Sequence, residues 1–115
     1  MARRRKRRNV LPWEAVIGKL KSAADRLKKI IPVDCVYLYG SYARGHPKPY
    51  SDVDVAVVSP AFGRDIVAEA VMLMEVFEGE GLIVEPRAYS REEYDAAGPG
   101  TFLYEEVIKK GVRIL

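Results

Sequence analysis

One cysteine, Cys35, is the whole thiol complement of this 115-residue chain. An internal disulfide is therefore excluded. Set in an apolar run, Cys35 reads as a small core residue rather than a nucleophile. No apolar run is long enough to span a bilayer as a helix. The N-terminus is basic but lacks the apolar segment of a secretory signal, so a cytoplasmic location is expected. Internal repeats and linker-like composition are missing too. At this length the chain reads as one small domain, residues 12–115, behind a basic tail, residues 1–11. About half of the residues are apolar, enough for one core. His46 is the lone histidine, and a single loop histidine reads as exposed.

The net charge of +3 hides an asymmetry. Arg3, Arg4, Arg5, Lys6, Arg7 and Arg8 supply six of the 19 bases, so the remaining 13 face 16 acids, a net of −3. The body is mildly acidic and the tail strongly basic. Such a run is self-repelling and reads as disordered. It could attract nucleic acid without sequence preference. No aromatic residues interleave with the charges as a single-strand surface would want, which favours a solvated tail that aids solubility.

Pro12 can open a helix, since a proline at the first helical position sacrifices no hydrogen bond. Val16, Ile17, Leu20, Ala23, Ala24, Leu27, Ile30 and Ile31 recur at spacings of three and four. They predict an amphipathic helix from Trp13 to Ile31, stopped by Pro32. Val33–Tyr39 and Asp52–Val58 read as strands, the second closed by Ser59-Pro60. A second helix is predicted over Arg64–Glu80, with Ile66, Val67, Ala70, Val71, Leu73, Met74 and Phe77 inward and Met72 a core filler. Leu82–Tyr89 is a third strand, and Pro86 inside it argues for a sheet edge. Ser90 followed by Glu93 is a capping-box pattern for a short helix. Phe102–Lys110 reads as a last helix, and Val112–Leu115 as a short final strand. The layout is α+β, α/β-like, with a small mixed central sheet flanked by helices.

The chemistry concentrates in one stretch: Gly40-Ser41-Tyr42-Ala43-Arg44-Gly45, five residues, then Ser51-Asp52-Val53-Asp54. A glycine-serine pair where a strand hands over to a short helix aims backbone N–H groups at an anion. Gly40 lets the main chain approach a phosphate closely, and Ser41 adds a hydroxyl. Gly45 suits a left-handed turn. Arg44 either pairs with a carboxylate to fix the loop or reaches phosphate. Asp52 and Asp54, two apart on a strand, project from one face. Two charges there are costly to bury unpaired, and a hard cation would relieve that cost. Glu85, alone in the third strand, reaches the same face if that strand lies beside the second. There it could share a metal or accept a proton from an attacking hydroxyl. Phosphate turn and acids together suggest chemistry on a nucleoside triphosphate.

These residues resemble the DNA polymerase beta-like nucleotidyltransferase superfamily. The closest likeness is to its minimal nucleotidyltransferase branch, short stand-alone domains of prokaryotes. The family pattern is Gly-Ser, about ten residues, Asp-x-Asp, and a third acid on a later strand. Here Gly40-Ser41 is followed by the ten residues Tyr42 to Ser51, then Asp52-Val53-Asp54. Glu85 falls where the third acid is expected, although the family usually has aspartate there. The resemblance implies that Gly40 and Ser41, with Arg44 and Ser51, bind the nucleotide. It implies that Asp52, Asp54 and Glu85 are catalytic and hold magnesium, as two ions. The reaction would transfer a nucleoside monophosphate, AMP from ATP, to an acceptor hydroxyl with release of pyrophosphate. Minimal members resemble antitoxins paired with HEPN-type toxins, some of which they modify with AMP. Larger relatives carry substrate domains not seen in this sequence, so the acceptor is expected on a partner protein. Two other readings stay open. One is a non-catalytic antitoxin or binding module. The other is a transferase acting on nucleic-acid ends, guided by the tail, or on a small molecule.

Overall fold

The computed structural model describes residues 11–45, 47 and 52–115. The tail to Val10, His46, Lys48 and Ser51 lie outside the described residues. Helix α1 runs Trp13–Lys28 and buries Val16, Leu20, Ala23, Ala24 and Leu27, the apolar stripe that its spacing predicts. The Pro12 carbonyl accepts the Val16 N–H at 3.1 Å, so proline sits at the cap. The helix ends three residues earlier than the periodicity suggests. Ile30 and Ile31 both donate to the Leu27 carbonyl in a closing turn, which leaves Ile30 exposed.

Strand β1 is Cys35–Tyr39, shorter than expected by two residues. Helix α2, Gly40–Ala43, follows without a linker. Strand β2 is Val53–Val58, helix α3 Ile66–Glu78 and strand β3 Val84–Tyr89. Helix α4, Arg91–Ala96, starts from the anticipated box: Ser90 Oγ accepts the Glu93 N–H, and the Glu93 carboxylate accepts the Ser90 N–H. The last helix, α5, covers Leu103–Ile108 and is wound wide as a π-helix. Its signature is the Lys109 N–H bonding to the Tyr104 carbonyl five residues back. Strand β4 is Val112–Arg113. Main-chain bonds from Ile114 and Leu115 to Val36 carry its pairing to the last residue.

The sheet order is β3-β2-β1-β4. Strand β1 pairs antiparallel with β2 and β4, while β2 pairs parallel with β3. It is the mixed sheet that the layout predicts, and Pro86 does mark an edge strand. Side chains alternate across it. Val36, Leu38, Val53, Val55 and Val57 face α1 and α3 in the main core. Cys35, Tyr37, Tyr39, Ala56 and Val58 face α5 on the other side, over Leu103 and Val107. Each fully buried Val or Leu here contributes about 1.5–3 kcal/mol. Cys35 is the buried core residue expected, and burial pushes its thiol pKa up. The Tyr37 and Tyr94 hydroxyls share a 2.9 Å hydrogen bond that ties α4 to this second face.

Helix α3 departs from expectation. Leu73, Val76 and Phe77 are buried, but Ile66, Val67, Val71 and Met74, assigned inward by spacing, stand exposed. The helix is apolar around most of its circumference, so periodicity could not select which side meets the sheet. The packing selected the Leu73–Phe77 side and left the other uncovered.

Candidate active site

The end of β1 meets the starts of β2 and β3, and the acids gather there. Tyr39, the last residue of β1, pairs with Asp54 across the antiparallel ladder. On its other side Asp54 pairs with Glu85 across the parallel ladder. Strand alternation puts Asp54 on the α5 face together with Ala56 and Val58. Glu85, in register with Asp54, shares that face, and so does Asp52 two residues back. The expected beside-and-same-face relation of the third acid is therefore realised by register. Asp52 and Asp54 are half-buried, and Glu85 is exposed at the edge.

Electrostatics report the same proximity. Burial raises the Asp54 pKa, and the negative charges of Glu85 and Asp52 raise it further. The positive charges of Arg87 and Arg44 oppose that rise. An acidic group held near two others is strained toward protonation until a cation arrives. Tyr39 is pushed up to about 12, first by burial, with the Asp54 charge adding to it.

Gly40 connects the turn to the acids. It opens α2 with φ of 75°, in the left-handed region. A Cβ built there would collide with the Asp54 carboxylate. Only glycine lets the strand-to-helix turn lie flat against that side chain. Ser41 follows in α2 and is half-buried. Arg44 caps the C-terminus of α2 with its side chain exposed, close enough for its charge to act on Asp54. Gly45 adopts φ of 79°, as a left-handed turn requires.

Two further residues, Arg87 and Phe102, complete the surroundings. Arg87 lies two residues after Glu85 and so shares its face. Its guanidinium carbon sits 4.3 Å from the centre of the Phe102 ring. Phe102 in turn meets Tyr39 edge-on, with ring centres 5.9 Å apart. Phe102 holds Arg87 by cation–π attraction beside the acids. Alternation along β3 could have flagged Arg87 in the sequence; nothing local could have flagged Phe102, which arrives from a different element.

Among the described residues, no group of three or more acidic, cysteine or histidine side chains is placed to hold a metal ion. An open site of one or two carboxylates, completed by phosphate and water, is what magnesium ordinarily accepts. Carboxylates that repel one another around the raised Asp54 fit such a cation. A glycine-led turn packed on a set of strand carboxylates can hold a polyanion and its counter-cation side by side, which is the arrangement of a phosphate-handling transferase.

Residues 20–114 match the family model described as the nucleotidyltransferase domain, and the chain belongs to that family. A protein of Sulfolobus solfataricus assigned as a nucleotidyltransferase is similar in structure. Its TM-score is 0.59 and its identity 19%, over 88% of this chain and 80% of that one. A toxin–antitoxin structure, MntA-HpeT, bearing two Asp-to-Glu substitutions two positions apart, matches at TM-score 0.54 and 23% identity. A toxin–antitoxin structure with AMP-PNP matches at 0.55 and 24%. Each of the latter two covers 91% of this chain and 73% of its own. No curated protein matches significantly. Among the described residues, no helix is long and apolar enough to cross a membrane.

Proposed function

We propose that this nucleotidyltransferase-family chain moves AMP from ATP to a hydroxyl of a partner protein, releasing pyrophosphate, and so acts as the antitoxin of a toxin–antitoxin pair. The observation that carries the reading is the register that sets Glu85 beside Asp54 while Gly40 packs on the Asp54 carboxylate. In this reading residues 12–115 form one catalytic unit. Asp52 and Asp54 hold magnesium, with Glu85 at its margin. Bound there, the cation would neutralise phosphate charge and polarise the α-phosphate.

The chain's own groups do the rest. The turn at Gly40 and Ser41 presents main-chain N–H groups and a hydroxyl to the triphosphate. Arg44 and Arg87 supply positive charge toward the phosphates and oppose the rise in the Asp54 pKa. Glu85, exposed at the sheet edge, accepts the proton of the incoming hydroxyl. That oxygen attacks the α-phosphorus, and the bond to the pyrophosphate oxygen breaks.

Two structural neighbours support the partner and the nucleotide, one being a toxin–antitoxin structure with AMP-PNP. The partner reading commits to a HEPN-type toxin as acceptor. The test is transfer of label from α-labelled ATP, with magnesium, to such a toxin. Label should move with wild type and not with Asp52→Asn. If none moves, and Asp52→Asn neutralises the toxin as well as wild type does, the catalytic reading is wrong.

A further inference from the structure

The apolar side of α3 is left unused by the proposed chemistry. Ile66, Val67, Val71 and Met74 are 78%, 72%, 47% and 41% exposed. With the half-buried Ala70 they form two adjacent rows: Ile66, Ala70 and Met74 at intervals of four, and Val67 and Val71 beside them. The face is continuous over two helical turns, roughly 12 Å. It is not a spare part of the core, because α3 already buries Leu73, Val76 and Phe77 against the sheet.

Along α3 and its caps the charges are of one sign, while Arg87 of the edge strand lines a groove with Ile66 and Ala70. From Asp65 to Glu80 there are five acids and no base. Glu75 and Glu78 stand exposed beside the apolar rows. Glu69 is turned back to accept main-chain N–H groups of Gly63, Arg64 and Asp65. The bases near the C-terminal end, Lys19 and Arg26, come from α1 and are engaged by Glu80. Arg64, ahead of the Asp65 cap, is exposed. The apolar face with Glu75 and Glu78 at its edge disfavours a second copy packed with α3 parallel to its own, since that would set Glu75 and Glu78 against their counterparts. It also disfavours nucleic acid and anionic lipid. It favours a protein surface with an apolar ridge flanked by Lys and Arg.

The face leads toward the acids. A groove of about 330 Å³ separates α3 from the edge strand, with Ile66 and Ala70 on one wall and Pro86 and Ala88 on the other. Glu85 and Arg87 line the same groove. We infer that the α3 face and the β3 edge form the docking surface for a basic amphipathic helix of the partner protein, and that docking there brings the partner beside Glu85. This deepens the proposed function by locating its acceptor protein, and it rests on that reading only for what happens after docking.

The test uses the full chain and a labelled synthetic helical peptide, Leu on one face and Lys along both flanks, followed by fluorescence anisotropy. A counterpart with Glu flanks serves as the charge control. Wild type should bind the Lys-flanked peptide about tenfold or more tightly than the Val67→Gln/Val71→Gln variant. That variant keeps every charge and favours helix, so unchanged circular dichroism and Tm would show it folded. The Glu75→Lys/Glu78→Lys variant should reverse the preference between peptides. Asp52→Asn/Asp54→Asn should bind the Lys-flanked peptide as wild type does, which separates failure of docking from failure of catalysis. Equal binding to wild type and the double glutamine variant would overturn the inference. So would a wild-type dimer in sedimentation velocity that the glutamine variant dissolves, because the face would then belong to a second copy.

Discussion

Alanine at Gly40 tests the contact between the phosphate turn and the acids most directly. Gly40 and Gly45 flank the same short helix with nearly equal φ of 75° and 79°. An L-residue in that region costs about 1–2 kcal/mol at either position. For a domain of this size that is a fall in Tm of roughly 4–8 °C. The two sites differ in what a Cβ meets. At Gly45 nothing lies within 4 Å, whereas at Gly40 the new methyl runs into the Asp54 carboxylate, with Cγ at 2.9 Å. Asp54 is anchored on both sides by Tyr39 and Glu85 in the sheet, so its main chain cannot retreat and its side chain must swing away. A displacement of about 1 Å at a reacting centre costs on the order of 10²-fold. Gly40→Ala should therefore weaken magnesium–ATP binding and slow transfer by about that factor. Gly45→Ala should lose similar stability but far less function. Calorimetric titration with magnesium and a non-hydrolysable ATP analogue, together with thermal melts, reads both quantities. Equal losses of nucleotide binding in the two variants, or none in Gly40→Ala, would refute the reasoning.

Other outcomes follow from the same site. Asp54→Asn should abolish transfer yet raise the Tm of the metal-free protein at pH 7, since it removes a carboxylate whose pKa folding raises. A raised carboxylate costs stability above its folded pKa and regains it as pH falls toward about 3.9, so the Tm gap between Asp54→Asn and wild type should close between pH 7 and 4. A gap that widens on acidification would contradict the assignment. Arg87→Ala should move the acid limb of the activity–pH profile to higher pH, because Arg87 holds Asp54 down; Arg87→Lys should restore most of it, and an unmoved limb would show that Arg87 does not act there. Leu38→Ala, in the middle of the sheet at 0% exposure, should cost about 2–5 kcal/mol in urea unfolding. Deleting residues 2–8 should leave transfer to a protein acceptor unchanged, and a lost activity would favour a nucleic-acid substrate instead.

The sequence by itself determined whatever depends on neighbours in the chain. Helix α1 and the capping box of α4 are periodicity and local hydrogen bonding, legible without a fold. The Gly40–Asp54 pattern is a spacing, and Pro86 announces an edge because a residue without an N–H cannot serve a central ladder. Local reasoning failed wherever two distant segments had to choose each other. Apolar residues surround α3 almost completely, so only the packed sheet decided that Leu73 and Phe77 go in while Val67 and Val71 stay out. The wide winding of α5 and the place of Phe102 under Arg87 came from a different element closing over the second face. Asp52 and Asp54 share a face because strands alternate, and that needs no tertiary contact. The same rule cannot say which strand lies beside theirs. Only the parallel register of β2 and β3 set Glu85 against Asp54, because cross-strand pairing is fixed by the whole sheet and not by either strand alone.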